Sequence, residues 1–487
     1  MCRGVTGGRE SGRVLHRRTL APVCRIRLSG KRMKGWALRP YEQILLRGMR
    51  MKWLSRSRPL VIVAAAVLGV FACGGGSGGG GSSTQNKGTI AIGVDLPESG
   101  SEASNGVPTL NGVKFAVDQQ KSIKGFNLTV VNFDDAVNGV HDPQKGAQNI
   151  NQMLANADVL AMVGPFNSNV ARAEIPITNQ AGLVQVSPAN TNECLTRDYD
   201  YCDPKASGLR PSGKPNNYFR VAATDDHQGP AMADYALQTL KLQSLGVGSD
   251  NETYGLGIAN NFVKEYTKKG GKLATAQQNY PGMKNQSDFR SFLQSAQSKG
   301  AAGVYFGGTD SNKVCVVRSQ MKGIFPPSTP FMGGDGVVTS QCLNDAGDNA
   351  PDMYGTIAAV DAGHTPEAKA TIDAFKKANP NPSDYGGYTV PAYSASQAIF
   401  QAISSAIDSN GGNKPNREQV RAAMAKVKNV KTPIGTISFD KYGDIIPQII
   451  TVYHAKAPSG TEAADAPACN QSKNVCWVFE KSVNYTT

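Results

Sequence analysis

The sequence predicts an α/β protein of two Rossmann-like lobes, each built on a parallel-sheet core. Three observations lead there. From residue 88 onward, short apolar segments alternate with segments of helical spacing, as in successive βαβ units. Segments such as VLAMV at 159–163 lack polar alternation, which is how a strand covered on both faces reads. The alternating series begins a second time near Tyr218, so two lobes are more economical than one sheet.

In the first series, residues 89–94 (TIAIGV) predict a strand and residues 110–120 a helix with apolar Val113, Phe115, Ala116 and Val117. Residues 126–133 (FNLTVVNF) predict a strand. Residues 142–155 predict a helix opened by Asp142 as cap and Pro143 at its first position. Residues 159–163 and 183–186 (LVQV) predict buried strands. In the second series, 218–221 predicts a strand, 228–240 and 261–270 helices, 303–306 a strand and 310–321 a helix. Residues 331–332 and 355–360 predict strands, and 368–377, 390–409 and 417–427 helices. A hairpin about Tyr442-Gly443-Asp444 then leads into a strand ending near Val452.

Charge is unevenly placed in this chain of 487 residues. Residues 1–72 hold 16 Lys+Arg against two acidic residues, whereas the remainder holds 35 against 36, a balance of −1. The basic total therefore belongs to the N-terminus, and nucleic-acid binding by the folded body is not expected. Residues 1–48 read as an upstream extension from a mis-called start codon. Residues 49–72 read as a signal peptide, with Lys52, Arg56 and Arg58 before a 13-residue apolar stretch at 60–72. Val70-Phe71-Ala72-Cys73 resembles a bacterial lipobox, making Cys73 the expected lipid-attachment residue. Residues 73–87, with GGGSGGGGSS at 74–83, read as a flexible tether. No run of about 18 apolar residues occurs, which excludes a polytopic membrane protein.

Six further cysteines, Cys194, Cys202, Cys315, Cys342, Cys469 and Cys476, lack CxxC spacing and histidine neighbours, so no metal site is expected. An even set suits three disulfides in an oxidising compartment. Several connectivities are possible, and pairing of sequence neighbours, 194–202, 315–342 and 469–476, is the preferred one.

Enzyme signatures are missing. The sequence has no GxSxG elbow, Walker A loop, HExxH or GxGxxG after a strand, and no cofactor is expected. His16, His141, His227, His364 and His454 are scattered and read as solvated surface residues. What remains is a set of small polar loops after strands. Gly164-Pro165-Phe166-Asn167-Ser168-Asn169 offers a hydroxyl and free amides at a helix N-terminus, which suits an anion. Ser187-Pro188-Ala189-Asn190-Thr191-Asn192 offers more hydroxyls and amides, and Gly333-Gly334-Asp335-Gly336 holds a carboxylate in a glycine-rich turn. Together they complement a zwitterion, although each alone also serves as an ordinary cap or turn.

Across residues 88–455 the sequence resembles the type I solute-binding proteins of ABC importers, and among them the branched-chain amino acid binding family. TIAIGVDLPESG, Asn111-Gly112-Val113, Phe133-Asp134-Asp135-Ala136, VGPFNSN, QAGLVQVSPANT, YFRVAATDDHQGP, VYFGGTD and FMGGDG carry the likeness, in order. The resemblance implies that Ser168, with the amide beside Asn167, holds an amino-acid carboxylate. It implies that the Ala189 carbonyl and Thr191 hydroxyl grip the two α-substituents, and that Asp335 takes the ammonium group. Tyr254 and Tyr388 keep aromatic residues expected to close over the side chain from the second lobe. Asn105 and Thr309 stand where leucine binders have tyrosine, so the side-chain pocket is expected to be roomier or more polar.

The function implied is capture of an amino acid, branched-chain or more polar, or a related small zwitterion by hinge closure. Delivery to ABC permease subunits follows, from a monomer anchored outside the cell membrane by lipidated Cys73. The resemblance implies lobes of 88–223 plus 362–438 and 224–361 plus 439–487, joined by three crossovers near 222–226, 360 and 438. The alternatives are a ligand-sensing receptor component of the same fold and a binder of small amides or carboxylates.

Overall fold

The computed structural model describes residues 86–485; the leader, Cys73 and most of the tether lie outside the described residues. The first sheet contains β1 (Thr89–Leu96), β2 (Phe126–Asp134), β3 (Val159–Val163), β4 (Val184–Ser187) and β5 (Tyr218–Arg220). Their order is β2–β1–β3–β4–β5, all parallel, with the short strand Ser122–Ile123 added antiparallel at the β2 edge. The helices are α1 (Ala103–Gln120), α2 (Pro143–Ala155) and α3 (Ser168–Ala181). Every residue of β3 is buried, as its unbroken apolar run requires. Asp142 caps α2 by accepting from the Gln144 and Lys145 amides at 2.9 and 2.8 Å. The strand order reverses between β1 and β3, so a crevice opens at their carboxyl ends.

The second sheet contains β6 (Ser244–Ser249), β7 (Gly303–Gly307), β8 (Phe331–Met332), β9 (Met353–Ile357), β10 (Ile449–Lys456) and β11 (Val475–Asn484). β6 to β9 run parallel, and β10 and β11 extend the sheet antiparallel. Its helices are α4 (Asp225–Asp234), α5 (Thr253–Lys268), α6 (Arg290–Ser298), α7 (Val314–Gln320) and α8 (Ser340–Ala346). Trp477 of β11 is fully buried, and its indole donates to the Thr339 carbonyl at 3.1 Å.

The chain then returns to the first sheet through α9 (Pro366–Ala378), α10 (Thr389–Ser409) and α11 (Arg417–Met424). α10 packs along α1, where a Cβ on Gly112 would sit 2.2 Å from the Thr389 carbonyl. Phe115 of α1 meets Phe375 of α9 edge-on at 5.4 Å. Residues 439–446 also lie on this side: Phe439 meets Phe219 at 5.3 Å and Asp444 pairs with Arg220. Three connecting stretches run side by side. The Ala223 amide donates to Ala358 O at 2.7 Å, the Thr451 hydroxyl to Ala359 O at 2.8 Å, and the Thr224 amide to Gln448 Oε1 at 3.0 Å.

The structure corrects several element boundaries. α1 begins at Ala103 and carries Pro108 inside its first turns, and α5 begins at Thr253. α4 stops at Asp234 and passes into a wider turn, Tyr235–Thr239. The strands β6 and β11 and the helix α6 were not foreseen. Cystines 194–202, 315–342 and 469–476 are all formed. No helix among the described residues is long and apolar enough to cross a membrane.

Candidate functional site

Loops from the carboxyl ends of both sheets face one another. On the first lobe, the turn after β3 delivers Ser168 to the first position of α3, buried, where its Oγ accepts from the Asn192 amide at 3.4 Å. The loop after β4 is braced from within. Ser187 Oγ accepts from the amides of Ala189 and Asn190 at 3.2 and 2.8 Å, and Asn190 Nδ2 donates to Phe166 O at 2.7 Å. Arg220 holds the two carbonyls that flank Thr191, at 3.3 Å (Asn190) and 2.8 Å (Asn192). The Thr191 carbonyl itself accepts from the Asp225 amide at 2.8 Å. Ala189 and Thr191 are both buried.

On the second lobe, Asp335 is the acidic centre. Gln228 Nε2 donates to its Oδ1 at 2.9 Å and the Tyr388 hydroxyl to its Oδ2 at 2.8 Å. Burial raises its carboxyl above the ordinary value, against the opposing effect of the Gln228, Tyr388 and Tyr254 hydrogen bonds. The Tyr254 hydroxyl accepts from the Gly336 amide at 3.1 Å. Gly334 is required for that approach, because a Cβ there would lie 2.3 Å from the Tyr254 oxygen. Tyr388 does not come from the second lobe as expected. It precedes α10, which packs on α1, and so reaches Asp335 from the other side.

Two further residues join this centre. Asp225, the first residue of α4, is fully buried, and neither carboxylate oxygen completes a hydrogen bond of ordinary geometry. Burial and the nearby charges of Glu193 and Asp335 push its carboxyl well above the usual range. Gln228 presents an unpartnered Oε1. The TDDHQGP segment contained both, but nothing local to it indicates that α4 starts against the Thr191 loop.

The remaining predicted residues sit around this centre without bonding to Asp335. Asn105 of α1 has a buried Nδ2 with no hydrogen-bond partner. Thr309 turns its hydroxyl to Ser311 Oγ at 2.9 Å, and its amide donates to Asp250 Oδ2 at 3.3 Å. Asn167 donates to Glu102 Oε1 at 2.6 Å, which ties it to a second buried cluster.

That cluster corrects the reading of His141 as a surface residue. His141 is 3% exposed, with Nδ1 2.6 Å from Glu102 Oε2 on its own lobe and Nε2 2.7 Å from Glu252 Oε2 at the start of α5. Both ring nitrogens face carboxylates, the arrangement of an imidazolium. Burial alone would depress its pKa, but the charge and hydrogen bond of Glu102, with Glu252, hold it well above the ordinary value. Asp135 and Asp250 also face it by charge. Asp250 and Asp310 are pushed up to about 7, chiefly by burial.

A pH dependence follows. All three groups titrate higher in the folded chain than unfolded. Their stabilisation is complete below the unfolded values and is lost as pH rises through the folded ones. For Asp250 and Asp310 the window runs from about 4 to about 7, and for His141 it lies above about 6.5. The thermal midpoint is expected to fall between pH 5 and pH 9, and the part above pH 6.5 to shrink in His141→Gln. An identical slope in that variant would remove His141 from the effect.

Among known proteins, a family model described as periplasmic binding protein matches residues 89–459. An amino acid binding protein of Pseudomonas aeruginosa is 28% identical over 409 residues, covering 82% of this chain and 96% of that protein. A leucine binding protein from Thermotoga maritima shares the fold with a TM-score of 0.66 at 22% identity, covering 82% of this chain and 99% of that one. A solute binding protein of an ABC transporter from Rhodopseudomonas palustris, solved with p-hydroxybenzoic acid, shares it at 0.66 and 17% identity, covering 82% and 98%.

Proposed function

The chain belongs to the periplasmic binding protein family, and from that premise we propose that it captures an amino acid or related small zwitterion between its lobes and delivers it to an ABC permease. The family's role is solute binding without catalysis, outside the cytoplasm. One observation supports the ligand class most. A buried carboxylate, Asp335, with two hydrogen-bonded neighbours on it, belongs to the lobe opposite the Ser168 helix N-terminus and the Thr191 hydroxyl. The first suits an ammonium group and the second a carboxylate. The amino acid binding named for the Pseudomonas relative points the same way.

In this reading the ligand docks on the Ser168–Thr191 face and contacts from Asp335, Tyr254 and Gln228 then favour the closed state. A ligand shifts that equilibrium only by its differential affinity for the two states. The pairing of residues 439–446 with the first sheet favours lobes of 88–223 plus 362–446 and 224–361 plus 447–487. A lipid on Cys73 and the glycine-rich tether would hold this monomer at the membrane surface.

A thermal-shift screen of residues 84–487 against amino acids, small amides, polyols and carboxylates tests the reading. A ligand at 100 times its Kd adds about 2.7 kcal/mol of stability. Stabilisation by amino acids is the expected result. Stabilisation only by amides or carboxylates without an ammonium group would discard the role of Asp335, and silence across the panel would favour the sensing alternative.

A further inference from the structure

Beside the Asp335 centre lies a cavity of about 510 Å³, within the ~300–1,000 Å³ range of sites that hold whole organic ligands. Two of the predicted ligand residues, Asn105 and Tyr388, stand on its wall. Tyr388 faces both spaces, since its hydroxyl donates to Asp335 while the residue lines the cavity. Asn105 lines the same wall, although its unpartnered amide nitrogen is itself buried and not offered to the cavity. The cavity is assembled from the start of α1, residues 338–340, residues 379–388 and residues 463–471. The last of these ends in the Cys469–Cys476 cystine, and Trp477 ties the strand that follows to Thr339. These ties hold the 463–471 segment against residues 338–340.

The chemistry of the wall narrows the occupant. Val338, Pro382, Tyr385 and Pro467 give it apolar area. Lys376 is the single charged residue lining it, donating to Ala464 O at 2.6 Å and lying 4.6 Å from the Tyr385 ring centre. No carboxylate lines this space, so a cationic arm has no counter-charge there.

Resting on the amino-acid reading of the Asp335 centre, we infer that the cargo is an α-amino acid with a long, non-basic side chain that passes Tyr388 into this cavity. γ-Glutamyl amides and similarly extended acyl derivatives belong to that class. Free leucine would leave most of the space unfilled.

The test is calorimetric titration of the folded domain with L-glutamine, γ-L-glutamyl-ethylamide and γ-L-glutamyl-anilide, which share the head and carbonyl and differ in length. L-Homoarginine serves as the basic control. The wild type is expected to bind the anilide about tenfold or more tightly than glutamine, and homoarginine more weakly than either. Ala466→Phe and Ser340→Phe narrow the cavity from two different segments. Each is expected to abolish the advantage of the anilide while leaving glutamine within about twofold. A wild type that binds glutamine as tightly as the anilide would overturn the inference, as would an advantage that survives in both variants with unchanged melting temperatures. Asp335→Asn separates the two readings: loss of glutamine binding there with no length preference in the wild type retires the long arm alone. No binding of any α-amino acid retires the amino-acid head and the arm with it.

Discussion

Asp335→Asn is expected to weaken amino-acid binding by about 2–5 kcal/mol, a loss of roughly 30-fold to several thousand-fold in Kd. The substitution keeps the shape of the side chain and removes its charge. In the protein that charge is buried, accepts hydrogen bonds from Gln228 and Tyr388, and faces no cation among its hydrogen-bond partners. A ligand ammonium group would supply one, and an asparagine amide would meet it with a weaker acceptor. Because burial raises the Asp335 carboxyl, the free site also loses charge more readily in acid than an exposed aspartate would. Binding by the wild type is therefore expected to weaken as pH falls through that raised value, whereas Asp335→Asn shows no such dependence from this position. Calorimetric titration of both proteins at pH 5 and pH 7.5 measures the two effects together. An unchanged Kd in Asp335→Asn would remove the ammonium assignment.

Local chemistry explains which parts were legible in advance. VLAMV is short, apolar and rich in Val, and Asp142-Pro143 supplies both a cap and a favoured first helical residue, so β3 and α2 emerged where expected. β6 was missed because SLGVGS interrupts its apolar residues with glycine and serine. Those glycines are there for packing, since a Cβ on Gly248 would lie 2.4 Å from the Phe306 ring. α6, RSFLQSAQS, buries only Phe292, Leu293 and Ala296 and is too short to display a long apolar stripe. The site divides in the same manner. Ser168 and Asp335 follow strands and stand in loops that advertise themselves by composition. Glu102, His141 and Glu252 lie just ahead of helices far apart in sequence: the fold of the first lobe brings Glu102 to His141, and the approach of the second lobe adds Glu252. His141 illustrates the limit, because nothing in VNGVHDPQ reveals a carboxylate on either side of the ring.

Arg220→Met is expected to cost about 3–5 kcal/mol of folding stability and to weaken ligand binding as well. Arg220 and Asp444 are each fully buried and meet at 2.7 Å. The guanidinium also donates to Thr196 Oγ1 at 2.5 Å and to the carbonyls of Asn190 and Asn192. Methionine fills similar space and removes a donor from each of these acceptors; the Asn192 carbonyl keeps the Leu195 amide at 3.2 Å, whereas the Asn190 carbonyl loses its guanidinium donor and carries the desolvation cost. Asp444 retains Arg197, whose Nε donates to its Oδ2 at 2.8 Å, so the carboxylate is not wholly abandoned and the loss is bounded. The joint effect arises from position. Arg220 ends β5, grips the loop that carries Thr191, and pins the hairpin at 440–446 immediately before the chain crosses to β10. Urea unfolding should show a lower midpoint at unchanged m, the mark of lost stability rather than an altered denatured state. Adding Asp444→Leu should recover part of the loss, because an intact apolar pair is cheaper than half of an ionic one. If Arg220→Met unfolds within 1 kcal/mol of the wild type, the pair is not what holds the Thr191 loop. If it is destabilised as expected yet binds ligand with an unchanged Kd, the loop keeps its shape without the guanidinium, and Ser187 with Asn190 is its sufficient brace.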